Sequence, residues 1–171
     1  MLKEVKMEDD VQVRIGYARK QARLIIKRAK LATPPVLLNN IVKFIQTKDD
    51  LRVFPKDLGK KISGIQLEHG GTTFIAYNLS EHEHRQRFTL AHEIGHFVMG
   101  HTGVSNFDSY DLNTKSPYEI EANAFAAELL MPLDMIKKDY QELHNPKQMA
   151  TKYLVSEVAL WKRLLDCKLI K

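Results

Sequence analysis

The chain has 171 residues, a net charge of +5, and 44% hydrophobic and 27% charged residues, so it can bury one main core, and wholesale disorder and fibrous classes are excluded. The first twenty residues interleave charge throughout, and no run approaches the ~18 consecutive apolar residues of a membrane span, so neither a secretory signal nor a membrane association is expected. A single cysteine, Cys167, forms no internal disulfide and sits in no metal motif, which makes the cytoplasm the expected compartment.

In chain order, residues 10–31 have the spacing of a long amphipathic helix. Ala18, Ala22, Ile25, Ile26 and Ala29 form its apolar stripe, and Lys20, Arg23, Lys27, Arg28 and Lys30 its solvated face. Thr33-Pro34-Pro35 breaks it, and Val36 to Thr47 gives a second helix. Leu51 to Phe54, Ile62 to Leu67 and Thr72 to Asn78 are rich in β-branched and aromatic residues. They predict three short strands, with a hairpin turn at Glu68-His69-Gly70-Gly71. The expected sheet is antiparallel. Helical spacing returns over Glu83 to His101, a polar loop follows over Thr102 to Pro117, and a further helix spans Tyr118 to Leu130 before Met131-Pro132 stops it. Two more helical stretches lie between Pro146 and Leu169.

The strongest chemical signal is His92-Glu93-Ile94-Gly95-His96. Histidines four apart on a helix lie about 40° apart around its axis and one turn along it, so both imidazoles can reach one ion. Leu90, Ile94, Phe97 and Val98 would bury the back of the helix. Five residues of this pattern arise by chance in about one chain in fifty, so the surroundings must carry the rest. A hydrolytic zinc site commonly uses three protein ligands and leaves the fourth position to water. The segment from Tyr118 to Leu130 offers two nearby carboxylates, Glu119 and Glu121. At about 100° per residue, Glu119, Asn123, Ala126 and Leu130 share one face, whereas Glu121 and Glu128 share nearly the opposite one. Glu119 is therefore the expected third ligand, Asn123 a partner that orients a ligand imidazole, and Glu121 and Glu128 the solvated side.

Together, RFTLAHEIGHFVMGH and EIEANAFAAELLMP, from Arg87 to Pro132, resemble the ImmA/IrrE family of HExxH metallopeptidases. The resemblance implies that His92, His96 and Glu119 are zinc ligands, with manganese an alternative ion, and that Glu93 is the general base and acid. It also implies action on a helix-turn-helix repressor of the phage or mobile-element type, often encoded next door. The fold class expected is α+β: a mostly helical metallopeptidase domain with a small three-stranded antiparallel sheet over 1–145, and a helix-turn-helix-like subdomain over 146–171.

Glu93 would take a proton from water and pass it to the leaving amine. A second donor to the scissile carbonyl oxygen is wanted, and Tyr77, Tyr118 and His101 are equivalent candidates from sequence. Thr72 to Asn78, with Thr73, Ile75 and Tyr77, is a candidate edge strand for pairing with an extended substrate, or else an ordinary strand. His82 and His84 fit a solvated helix start, and His69 and His144 fit surface positions.

The tail from Met149 to Leu165 resembles a helix-turn-helix in which Leu154 stands where glycine is usual. Its second helix offers only Lys162 and Arg163 as cations, which favours packing over DNA binding, because phosphate contacts dominate DNA affinity. Leu154, Val158, Trp161 and Leu164 are the apolar residues expected to be covered. The enzyme reading competes with a binding module that sequesters a repressor or binds DNA without cutting. Glu93 favours the enzyme, since a metal clamp alone needs only ligands.

Overall fold

A computed structural model describes residues 12–101 and 116–171, so most of the expected loop after His101, and the first residues of the expected amino-terminal helix, lie outside the described residues. Helix α1 (Ile15–Arg28) buries Ala18, Ala22, Ile25 and Ile26, the predicted stripe. It ends earlier than residue 31 because Lys30 turns left-handed at φ 55°, and the amide of Leu31 donates back to the carbonyl of Ile26. Helix α2 (Leu38–Gln46) buries Leu38, Ile41, Val42 and Ile45.

The sheet contains β1 (Leu51–Lys56), β2 (Gly64–His69) and β3 (Thr72–Asn78) in the order β1-β3-β2. Gly70 and Gly71, both with positive φ, close the β2–β3 hairpin, so that pair is antiparallel as expected. β1, however, pairs with β3 in parallel, and the sheet is mixed rather than antiparallel. β1 and β2 leave a slot between them, and β3 fills it with Thr73, Ile75, Ala76 and Asn78 buried. A strand buried on both faces suits the centre of a sheet. β3 is therefore no edge strand, and its Thr73, Ile75 and Tyr77 lie between two paired neighbours.

Helix α3 (Glu83–Met99) starts at His82, whose ring accepts from the amide of His84, in keeping with the expected capping role. Its last residue is Met99, two before the predicted end, and Gly100 caps it with φ 67°. Helix α4 (Pro117–Leu130) packs closely along α3. A Cβ on Gly95 would stand 3.2 Å from the Ala122 backbone and 3.1 Å from the Phe125 ring, so the two helices approach there because glycine has no side chain. α4 also packs against α1 on another side. With neighbours on both sides, α4 has no solvated face at Glu121 or Glu128, which are 0% and 1% exposed. The helical phase was right to set these residues opposite Glu119, but that side carries buried ion pairs. Glu128 meets Arg23 and Arg163, and Glu121 meets Arg14.

Helix α5 (Leu133–Leu143) has no counterpart in the sequence reading. Pro132 both stops α4 and opens α5, and Glu128 accepts from the otherwise unpaired amide of Leu133. Helices α6 (Pro146–Tyr153) and α7 (Glu157–Asp166) are capped by Asn145 and Ser156. Leu154 between them adopts φ 52°, the left-handed turn that glycine usually supplies. Its carbonyl accepts from Arg87, which also donates to the carbonyl of Val36 and so fastens the α6–α7 turn to α3 and the start of α2. The tail buries Met149, Tyr153, Leu160, Leu164 and, by way of its ion pair, Arg163. Leu164 is covered as expected, but Val158 and Trp161 are 79% and 46% exposed, because α7 turns Leu160 inward beside Leu164. Among the described residues no helix is long and apolar enough to cross a membrane.

Candidate metal centre

Helix α3 brings His92 and His96 to one face, and α4 brings Glu119 to meet them from its first turn. The Nε2 atoms of the two histidines lie 3.0 Å apart, and each lies 3.1 Å from one oxygen of Glu119. This is the group of side chains able to share an ion among the described residues. Both imidazoles are buried, and Glu119 is only slightly exposed. Burial by itself raises the Glu119 pKa, but the two imidazoles beside it outweigh this and hold the carboxyl well below the ordinary carboxylate range.

The remaining ring nitrogens show whether this set fits a cation. His92 Nδ1 lies 3.0 Å from Asn123 Oδ1, an acceptor, so the ring hydrogen belongs on Nδ1 and leaves Nε2 a lone pair. His96 Nδ1 lies 2.9 Å from His101 Nδ1, which can accept in the same way. With those hydrogens in place, the Nε2 lone pairs of both imidazoles and the Glu119 carboxylate converge on one point. A cation satisfies all three. Their spacing suits a small ion with bonds of about 2 Å, such as zinc, better than calcium with its 2.3–2.6 Å bonds.

Glu93 stands between the two histidines in sequence and at the edge of the same site. Burial pushes its carboxyl up and the charge of Glu119 adds to this, against a smaller downward pull from His92 and His96. Strand β2 presses on it: a Cβ added to Gly64 would stand 2.6 Å from Glu93 Oε1 and 2.6 Å from Thr89 Cγ2. Only glycine lets the strand come this close.

Of the candidate oxyanion donors, Tyr77 lies directly opposite Gly64 in the β2–β3 register. Opposite residues in an antiparallel pair project to one face, so Tyr77 is placed on the face that meets Glu93. His101 is placed elsewhere. It is 6% exposed and lies behind His96, with Nδ1 toward His96 and Nε2 3.0 Å from Glu121 Oε2. The reason is Gly100: its left-handed turn folds the chain back, and the amide of His101 donates to the carbonyl of His96. Tyr118 packs its ring on His101, with centroids 4.8 Å apart. Burial lowers the pKa of His101 against the opposing effect of Glu121, so its ring is neutral at ordinary pH.

Arg14 was missed in the sequence, and Glu121 was assigned to the solvated side. Burial raises the Glu121 carboxyl, but hydrogen bonds from Arg14 and His101 outweigh this and bring it down to about 2. The only sequence signal was His101, five residues after His96, whose need for a carboxylate partner was not anticipated.

The pattern of the family described as IrrE N-terminal-like domain, Peptidase_M78, matches residues 46–165. A curated relative, "Uncharacterized immunity region protein 2" of Bacillus phage phi105, is 28% identical over 118 residues, which are 68% of this chain and 69% of the relative. A solved structure, "Mycobacterium tuberculosis transcriptional regulator", superimposes with a TM-score of 0.63 at 14% identity. The match covers 87% of this chain and 46% of that one, so the chain spans less than half the length of the solved protein whose fold it shares. With the strands, α3, α4 and most of the tail inside the matched residues, the chain belongs to the IrrE N-terminal-like domain family of peptidases.

Proposed function

We propose that the chain is a zinc-dependent endopeptidase, with manganese a possible working ion, that makes a limited cut in a regulatory protein in the cytoplasm. The observation that carries this reading is the convergence of His92, His96 and Glu119 beside Glu93. Those three side chains would hold the ion. A bound ion of this kind supplies Lewis acidity, making water nucleophilic near neutral pH and polarising a peptide carbonyl.

The protein's own groups do the rest. Glu93, its carboxyl raised by burial, accepts a proton from the attacking water and returns it to the leaving amine. Tyr77 is the remaining candidate for a hydrogen bond to the carbonyl oxygen, since its place opposite Gly64 puts it near Glu93. The role considered for β3 passes to β2, which stands at an edge of the sheet among the described residues and whose first residue abuts Glu93. An extended substrate pairing with β2 would lie alongside the base.

A helix-turn-helix repressor is the proposed substrate. The phage relative belongs, by its name, to an immunity region, and the structural neighbour is named a transcriptional regulator. The burial of Arg163 removes one of the two cations of α7 from any DNA contact, which supports a protein partner over DNA.

The test uses Glu93→Gln, which keeps the shape of the side chain but cannot accept the proton. Purified wild type and variant, both loaded with zinc, are incubated with a helix-turn-helix repressor encoded beside the gene, and fragments are weighed by mass spectrometry. Wild type should give a single pair of fragments and Glu93→Gln none, with zinc content and melting temperature unchanged. Equal cutting by both would remove Glu93 from the mechanism. Relief of repression in cells by the uncleaving variant would favour sequestration.

A further inference from the structure

Behind His96 runs a line of hydrogen bonds that holding an ion does not by itself require. Resting on the reading of His92, His96 and Glu119 as a metal site, we propose that His101, Glu121 and Arg14 are positioning residues. They lock His96 with its Nε2 lone pair toward the ion, so that metal affinity depends on the residue at which α1 begins.

The argument follows the hydrogens. For His96 Nε2 to bind an ion, the ring hydrogen must sit on Nδ1, whose partner 2.9 Å away is a second imidazole nitrogen, His101 Nδ1. That nitrogen must then accept, which places the hydrogen of His101 on Nε2, 3.0 Å from Glu121 Oε2. A carboxylate only accepts, so it enforces this tautomer. Arg14 holds the carboxylate in turn with three donors. Its backbone amide and Nε reach Oε1 at 2.7 and 3.0 Å, and a terminal guanidinium nitrogen reaches Oε2 at 2.8 Å. Every hydrogen in the line then meets an acceptor, and the direction cannot be reversed at any one link.

The inner members are sealed, with His101 6% and Glu121 0% exposed, whereas the Arg14 side chain is 47% exposed. The line therefore connects a water-accessible residue at the start of α1, 107 positions away in sequence from Glu121, to a metal-binding nitrogen. Partners of this kind around metal-binding imidazoles are worth roughly 10–100-fold in metal affinity.

A bare structural tie between α1 and α4 would need the Arg14–Glu121 pair but no particular tautomer, and Glu121→Gln separates the two. The best placement of the new amide sets its oxygen against the two Arg14 donors and its NH2 group toward His101. His101 must then accept at Nε2 and carry its hydrogen on Nδ1, facing the Nδ1 of His96. That drives the His96 hydrogen to Nε2, where the ion should sit.

Zinc affinity is measured on the full chain by competition with a chromophoric chelator, for wild type, Glu121→Gln and Arg14→Gln. Histidine tautomers are read by nitrogen NMR of the zinc-free proteins, and folding is checked by thermal melts. Glu121→Gln should bind zinc about 10–100-fold more weakly with the His101 hydrogen moved to Nδ1. Arg14→Gln, at a half-exposed site that tolerates change, should show a smaller loss in the same direction, and it carries the test if Glu121→Gln does not fold. Unchanged zinc affinity in either folded variant overturns the proposal, as does weaker binding by Glu121→Gln with the His101 hydrogen still on Nε2. A wild-type chain that takes up no zinc, or keeps it in both His92→Ala and Glu119→Gln, brings down the metal reading itself instead.

Discussion

Arg163→Met tests how the tail is held to the domain. The Arg163 side chain is 1% exposed; its Nε donates to the carbonyl of Met131 at 3.0 Å, and its guanidinium pairs with Glu128, also 1% exposed. Methionine fills similar space but leaves the carboxylate and the carbonyl without those donors. Breaking a buried ion pair from one side typically costs 3–5 kcal/mol. Glu128 keeps Arg23 at 3.2 Å and the amide of Leu133 at 3.1 Å, which places the effect near the lower end. The orphaned Met131 carbonyl adds about 1 kcal/mol. The sum is about 3–4 kcal/mol, and at 2–4 °C per kcal/mol for a chain of this size the melting temperature should fall by roughly 6–16 °C. The double variant Arg163→Met, Glu128→Met should recover much of the loss, because no buried charge is then left alone. Urea unfolding followed by circular dichroism and by the fluorescence of Trp161, the single tryptophan, shows whether α7 leaves before the rest. A single variant that melts within about 1 °C of wild type, or a double variant as unstable as the single, would refute the reasoning.

Gly64→Ala places a methyl 2.6 Å from Glu93 Oε1, so the carboxylate or the strand must withdraw by most of an ångström; repressor cleavage should slow about 100-fold while zinc content stays unchanged. Undiminished cleavage by a folded Gly64→Ala protein would show that β2 does not constrain the base. Acid stability of the zinc-free chain should fall in two stages, read by denaturant titration at several pH values. Burial depresses the His101 pKa below 6.5, so its contribution is present above the unfolded value and is lost as pH falls below about 6.5. Glu121 is held near 2 against 4.5 unfolded, and Glu119 is also held well below that value, so the contributions of both are lost as pH falls below about 4.5. A stability profile flat from pH 7 to 3 would contradict both assignments.

Much of the architecture is local and was legible without coordinates. The apolar spacing of α1, α2 and α3, the Gly70-Gly71 hairpin and the stop at Pro132 follow from side-chain periodicity and backbone preference within a few residues. The pairing of His92 with His96 is likewise a property of one helix turn, and the resemblance of two short segments pointed to the peptidase family. What the chain does between distant segments was not legible. Strand order depends on which strand can be buried on both faces, so the choice between edge and ordinary strand stayed open for β3 and β1 was given the wrong direction. Glu121 and Glu128 were assigned to solvent because helical phase says which residues share a side, not what covers it. Their partners lie 107 positions away in Arg14 and 35 away in Arg163. For His101, one of three donor candidates from sequence, the local turn at Gly100 brings the ring to His96, but only the packing of α1 and α4 supplies the buried carboxylate that meets its other nitrogen.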